Sequence, residues 1–477
     1  MAGDLHSRTP PAAAVAPRSL TRVTPRIRAA RNLRGPARAL RTPHAAEWLR
    51  QAHPNGVTMG VLALSPHPNS TTQENIMANC LVAQSGGPTA VINASLAGVI
   101  RANQLNPVYD HVYGGIHGIE GVLEDKLFDL TNLTGREIDI LKQTPSSALG
   151  TCRYKLKRGN DTDYRRLVEV MDAHDIEVMF YIGGNDSMDT VDALSEWAAA
   201  NGVAKRFVGI PKTVDNDLVP VDHCPGFPSA AKLACQVAHA TRLDYDAYTR
   251  AEVFVLETMG RDAGWLAASC CLSGDVDLLV LPEVDFEKEA FLAEVKKKMD
   301  EKNECYIVVS EGAHYADGTY LSAGDSANDG FAHAVLGGAA LTLKQMIIDA
   351  GIAPRGVVQD LSRAARSSNF AQSLVDVTEA YELGMSAHMR SADGVFTGQV
   401  VGIQRETRDG AYNAKFFAGP ASEFANHVKH FPTEWILPNY QGITQEALDY
   451  LAPLVEGEPK LIYKNGVPAT IKAFNRR

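Results

Sequence analysis

From Ala78 onward, short apolar runs alternate with amphipathic stretches, and each pair is joined by a glycine-containing turn. Ala78–Ala83 reads as a buried strand and Ser85-Gly86-Gly87-Pro88-Thr89 as the turn that follows. A helix is predicted from Ala90 to about Ala102, with Val91, Ala94, Ser95, Gly98 and Ile100 at roughly helical spacing. The unit recurs at Val178–Ile182, which breaks into Gly183-Gly184-Asn185-Asp186 before a helix from Ser187 to about Ala200. It recurs again at Val253–Leu256, which turns through Glu257-Thr258-Met259-Gly260-Arg261 into an alanine-rich helix. Phe207–Ile210, Leu278–Leu281 and Tyr306–Val309 read as further buried strands. Strands alternating with helices predict an α/β fold of doubly wound, mostly parallel sheets. Ligands bind such sheets beyond the carboxyl ends of the strands.

Composition narrows the class. At 477 residues and 45% hydrophobic, the chain can bury enough core for two domains. A formal charge of −10 argues against a nucleic-acid partner. No apolar run approaches the ~20 residues that span a bilayer, so no membrane partner is expected. The seven cysteines are odd in number, scattered and without a CxxC pair. They read as reduced thiols of a cytoplasmic protein.

Residues 1–76 stand apart. They hold ten Arg, no Lys and only Asp4, Glu47 and Glu74, a balance of +7 that leaves −17 for the remainder. Rich in Ala and Pro and without apolar periodicity, this segment is expected to be a disordered basic extension. Its composition resembles an organelle transit peptide, and translated sequence upstream of a start at Met77 is the alternative.

Five segments carry candidate chemistry. Gly86 and Gly87 let backbone amides approach a phosphate, as does the helix start at Asn185-Asp186. Lys212-Thr213-Val214-Asp215-Asn216-Asp217 puts two carboxylates and a cation directly after a strand. Phosphoryl transfer to an alcohol needs a proton acceptor, a Mg²⁺ ligand and positive charge at the transferred group. Met259-Gly260-Arg261 offers a guanidinium for a phosphate, Arg153 follows a Gly-containing loop, and Glu311 ends a strand where it can bond sugar hydroxyls. Each segment also has a plain structural reading, such as an Asx-type surface turn for 213–217. No GxxxxGK[ST] loop is present.

In order and spacing these segments resemble the phosphofructokinase family, over roughly residues 78–405. The family's first glycine loop matches Ser85-Gly86-Gly87, and its donor loop Gly-Gly-Asp-Gly-Ser matches Gly183 to Ser187. Its Thr-Ile-Asp-Asn-Asp turn matches Thr213 to Asp217, and its Met-Gly-Arg matches Met259 to Arg261. The resemblance implies Mg²⁺-dependent phosphoryl transfer to the 1-hydroxyl of fructose 6-phosphate, with Asp215 as general base. It implies that Thr213, Val214, Asp215, Met259, Gly260, Arg261 and Glu311 hold the sugar. Arg153 would lie near the transferred group, Arg363 would grip the 6-phosphate, and Arg355 would reach a neighbouring subunit's site in a homodimer or homotetramer. Asn185, where the family usually has Asp, and Asp217 are the implied metal ligands, with Asp189 as a further contributor.

ATP-using members resemble one another in carrying Gly at the positions of Asp186 and Lys212, whereas pyrophosphate-using members look like this chain. Two like charges about 4 Å apart at an effective dielectric near 20 repel by roughly 4 kcal/mol. A bare carboxylate at 186 would thus disfavour the α-phosphate of ATP about a thousandfold and spare pyrophosphate. The expected reaction is reversible transfer from pyrophosphate, giving fructose 1,6-bisphosphate and phosphate. ATP as donor, another acceptor such as sedoheptulose 7-phosphate, and a non-catalytic regulatory subunit are the alternatives. The expected division is a donor domain over 77–226, rejoined by 362–394, and a sugar-phosphate domain over 227–361, rejoined by 395–420. A C-terminal extension over 421–477 is expected to pack on the core through Trp435, Ile436, Leu437 and Pro438.

Overall fold

Strands β1 (Asn79–Gln84) and β6 (Glu252–Thr258) are buried on both faces, which is why their sequences read as apolar runs rather than as alternations. Each is central to its own sheet. The computed structural model describes residues 78–159, 161–321, 336–472 and 474, so the expectation for the basic segment 1–76 lies outside the described residues. None of the described helices is long and apolar enough to cross a membrane.

The first sheet has seven strands in the order β11-β10-β5-β4-β1-β2-β3. These are β2 (Val112–Gly115), β3 (Leu127–Asp129), β4 (Ile176–Gly183), β5 (Arg206–Pro211), β10 (Gln399–Arg408) and β11 (Ala411–Pro420) beside β1. β2, β1, β4, β5 and β10 run parallel, and the edge strands β3 and β11 are antiparallel to their neighbours. The second sheet is wholly parallel, in the order β7-β8-β6-β9, with β7 (Leu278–Val280), β8 (Glu304–Ser310) and β9 (Gly356–Asp360). Helices complete the α/β architecture predicted from the alternating pattern.

Two expectations change. Residues 399–420, expected with the second sheet, extend the first, because β10 pairs in parallel with β5 and buries Val400, Val401 and Ile403. The alanine-rich helix after Arg261 is only Trp265–Ser269, followed by a 3-10 turn over Cys270–Ser273. Ser269 and Ser273 hydroxyls bond back to the Leu266 and Cys270 carbonyls, and Gly274 ends the segment with φ +76°.

The helices Ile92–Leu105 and Leu374–Ser391 cross closely because each carries a glycine at the contact. A Cβ on Gly98 would lie 2.0 Å from the Tyr381 carbonyl oxygen, and one on Gly384 would lie 2.1 Å from that of Ser95. The C-terminal segment packs on the core as its apolar residues indicated. Phe431, Ile443, Ala447, Leu451 and Leu454 join the buried cluster around Trp265, and Trp435 meets Trp265 edge-on with ring centres 6.3 Å apart. Gly384→Ala is expected to lower unfolding free energy by about 1–3 kcal/mol, since neither backbone can retreat. Chemical denaturation measures it, and unchanged stability would mean that the two helices are not locked at this crossing.

Candidate active site

The carboxyl ends of strands from both sheets face one cavity of about 690 Å³. β1 ends at Gln84 and delivers Gly86 and Gly87; β4 delivers Asn185 and Asp186; β5 delivers Lys212, Thr213, Val214, Asp215 and Asp217. From the second sheet, β6 delivers Met259 and Arg261, β8 delivers Glu311, and β9 leads into Arg363. Gly260 lies between its two cavity neighbours, and its carbonyl accepts the Ser310 hydroxyl at 2.5 Å. Arg153 lines the wall from the 144–153 loop.

Charge is concentrated here. Burial raises the carboxyls of both Asp215 and Asp217; Arg366, Arg261 and Lys212 oppose the shift at Asp215, whereas the Asp215 charge adds to it at Asp217. Oδ1 of Asp215 is buried and has no hydrogen-bond partner. Burial, and then the Asp215 charge, push Glu311 up to about 7. Burial, with the Arg366 guanidinium nearby, pushes the Lys212 ammonium down to about 7. Its Nζ donates to the Gly87 carbonyl at 2.5 Å, so the first glycine loop and the β5 turn are tied together by a cation.

The β5 turn is braced from behind. Asn216 sits in the left-handed region with φ 57°, and its Oδ1 accepts the Cys224 N–H at 2.9 Å. His223 is buried between two carboxylates, with Nδ1 2.9 Å from Asp222 and Nε2 2.7 Å from Glu379. Burial alone would lower His223, but Glu379 and Asp222 overcome it and push the imidazole up to about 9. Burial alone would raise Asp222, but His223 and Arg405 hold it at about 2. Tyr412 donates to the other oxygen of Glu379 at 2.7 Å.

The donor loop is less bare than its sequence implies. Lys155 Nζ lies 2.6 Å from Asp186 Oδ1, so the roughly 4 kcal/mol repulsion reasoned for an isolated carboxylate is an upper bound. Asp189 is taken by Arg158 at 2.9 Å and by the Asn426 side chain at 3.1 Å. Asn185 is assigned to the metal by its sequence position. In the structure its Oδ1 accepts the Asn426 N–H at 2.7 Å and its Nδ2 donates to the His427 carbonyl at 2.7 Å. Among the described residues no group of three or more His, Cys, Asp or Glu side chains is arranged to hold a metal ion.

The phosphofructokinase family pattern matches residues 79–383, nearly all of the strands and loops just described. This chain belongs to the phosphofructokinase family. It is 41% identical over 412 residues to the pyrophosphate–fructose 6-phosphate 1-phosphotransferase of Halomonas elongata, covering 84% of this chain and 97% of that protein. It is 40% identical over 409 residues to the enzyme of that name from Methylococcus capsulatus, covering 83% and 96%. Among solved structures, the pyrophosphate-dependent phosphofructokinase from Nitrosospira multiformis superposes with a TM-score of 0.75 at 35% identity, covering 84% of this chain and 97% of that one.

Against this phosphofructokinase frame, one predicted residue is elsewhere. Arg355 precedes β9 at the amino end of the second sheet, where its Nε is 3.5 Å from Glu252, the first residue of β6. Four cavity residues escaped the sequence reading: Leu336, Arg366, Asn426 and Val428. Arg366 lies three residues beyond Arg363 on the helix Ser362–Ser367, so helical spacing puts both on one face and was the missed signal. A Cβ on Gly87 would sit 3.2 Å from the Arg366 guanidinium carbon, so this helix and the first glycine loop approach closely. Asn426 and Val428 reach the cavity only through long-range folding, and no local pattern announces them.

The buried His223 yields a pH signature. Its proton is held more tightly folded than unfolded, so the stabilisation is full below about 6.5, the ordinary imidazole value, and is lost as pH rises through about 9. Urea midpoints are expected to fall across this window. His223→Gln should flatten the fall and cost about 3 kcal/mol at pH 6, because two buried carboxylates lose their cation. A mutant with the original slope would remove His223 as its source.

Proposed function

We propose that this phosphofructokinase catalyses reversible transfer of a phosphoryl group from pyrophosphate to the 1-hydroxyl of fructose 6-phosphate, giving fructose 1,6-bisphosphate and phosphate. The observation that carries the reading is that Asp186 and Lys212 line the same cavity as the unpartnered carboxylate oxygen of Asp215. The high identity to pyrophosphate-dependent relatives over nearly their full length supports it.

In this reading the Asp215 carboxylate accepts the proton of the sugar hydroxyl as the hydroxyl oxygen attacks the nearer phosphorus. The bond from that phosphorus to the bridging oxygen breaks, and phosphate leaves. Lys212, Arg366 and Arg153 surround the transferring group with positive charge. Binding of anionic phosphates favours the protonated form of Lys212, which burial otherwise weakens. Arg261 and Arg363 meet the sugar's phosphate, and Glu311, Thr213, Val214, Met259 and Gly260 contact its ring and hydroxyls. Asp186 occupies the space of a third phosphate, with Lys155 holding its carboxylate in place.

The residues suit a Mg²⁺ that arrives with the donor. Asp217 and Asp215 are buried carboxylates whose mutual repulsion is unrelieved at one oxygen, and Mg²⁺ is commonly held by one or two carboxylates together with substrate phosphates and waters. It would neutralise charge on the phosphate oxygens. Arg355 is retained for a neighbouring copy's site, because its half-exposed side chain stands with Arg250 beside Glu252, outside its own cavity.

Initial rates with fructose 6-phosphate and Mg²⁺, pyrophosphate against ATP, test the donor. Activity with pyrophosphate and little with ATP is expected, and the reverse would overturn the assignment to Asp186 and Lys212. Asp215→Ala is expected to lower kcat by about 10²–10⁴ while sugar-phosphate binding persists. Normal turnover in that mutant would remove Asp215 as the base.

A further inference from the structure

Residues 426–431 follow the helix Ala421–Phe424 as a strap without regular secondary structure, exposed over 426–428 and buried at Phe431, and its bonds run in order across the site. At the donor loop, Asn426 N–H and the His427 carbonyl are held by the two ends of the Asn185 amide, each at 2.7 Å. At the β5 turn, Lys429 N–H donates to the Asp217 carbonyl at 2.8 Å. At the second sheet, the Lys429 carbonyl accepts Trp265 Nε1 at 2.9 Å and the Phe431 N–H donates to Glu283 at 2.8 Å. Between the first two anchors, Asn426 and Val428 form part of the cavity wall.

The far end is fixed by packing, with Phe431 buried against Trp265 and Lys429 lying over the same ring, whereas 426–428 are exposed, so the Asn185 bonds, with that of the Asn426 side chain to Asp189, set where the wall stands. Asn185 is suited to its two partners because an amide offers one donor and one acceptor. A carboxylate at 185 would still accept the Asn426 N–H but would turn an oxygen on the His427 carbonyl. The departure from the acid usual in the family thus has a local cause that does not involve a metal.

We propose that Asn185 is a positioning residue that seats the 426–431 strap as the wall of the donor end, and that this wall limits how long an inorganic polyphosphate the site accepts. Diphosphate fits inside it, and longer phosphoanhydrides meet Val428. The inference rests on the donor reading above and adds to it a second barrier, separate from Asp186.

The test compares Asn185→Asp, Asn185→Ala and Val428→Gly with the unmodified enzyme. It uses pyrophosphate and linear tripolyphosphate as donors, together with amide hydrogen exchange over 425–431. Losing one strap bond in Asn185→Asp should speed exchange there about tenfold, and losing both in Asn185→Ala at least as much. The tripolyphosphate-to-pyrophosphate ratio of kcat/KM should rise about tenfold in all three variants. Val428→Gly widens the wall without touching the donor loop, so it decides the matter even if the Asn185 variants fold poorly. Unchanged exchange, or an unchanged donor ratio with normal pyrophosphate activity, would overturn the strap. A several-fold lower Mg²⁺ half-saturation in Asn185→Asp, with exchange unaltered, would overturn it in favour of a metal ligand. Inactivity of the unmodified enzyme with pyrophosphate would sink the donor reading, and the length limit with it.

Discussion

Two carboxylates two residues apart, Asp215 and Asp217, are buried together in one turn, and the rest of the site is arranged around that cost. Like charges in a shielded place favour protonation, which would disable a base. The opposing cations come from separate elements: Lys212 from the same turn, Arg261 from the end of β6 and Arg366 from the helix after β9. The positive charge thus comes from both sheets. The cavity therefore depends on two parallel sheets pointing their carboxyl ends at each other, and on β10 returning to complete the first of them.

Rigidity behind the turn matters for the same reason. The His223 imidazolium between Asp222 and Glu379 balances charge in the interior and pins the chain six residues beyond Asp217, the last cavity-lining position before it. A buried ion pair of this kind is seldom a large net gain in stability, but removing one member is costly. It braces from behind a turn on which one buried Asp215 oxygen is left free of hydrogen-bond partners.

In the proposed reading, donor choice rests on layered features rather than on one carboxylate. Asp186 stands at the start of the helix Asn185–Ala200, a place suited to phosphate, and Lys155 tempers its charge. What remains is volume as much as repulsion. The Arg158 bridges to Asp189, Asp192 and Glu196 tie the 153–159 segment to the same helix, so Arg153 and Lys155 approach the donor loop from a fixed base.

Much of this was legible along the chain, because it depends on local rules. Apolar runs, several of them ending in glycine turns, located β1, β4, β5, β6, β7 and β8, and chemistry at strand ends followed from parallel topology. Lys212, Asp215, Asp217, Arg261 and Glu311 could be named because each lies within a few residues of such an end. The short edge strands, the attachment of 399–420 to the first sheet and the length of the helix after Arg261 could not be read this way. Pairing partners and helix termination there are decided by distant contacts. The same limit applies at the site. Sequence alone determined which residue types stand at which strand ends, since that is a matter of periodicity and turn chemistry. Only tertiary structure decided that Lys155 pairs with Asp186, that Arg366 crosses to Gly87 and that the Asn185 amide bonds to Asn426 and His427. Those partners lie 31, 279 and more than 240 residues apart in the chain, beyond the reach of any local pattern.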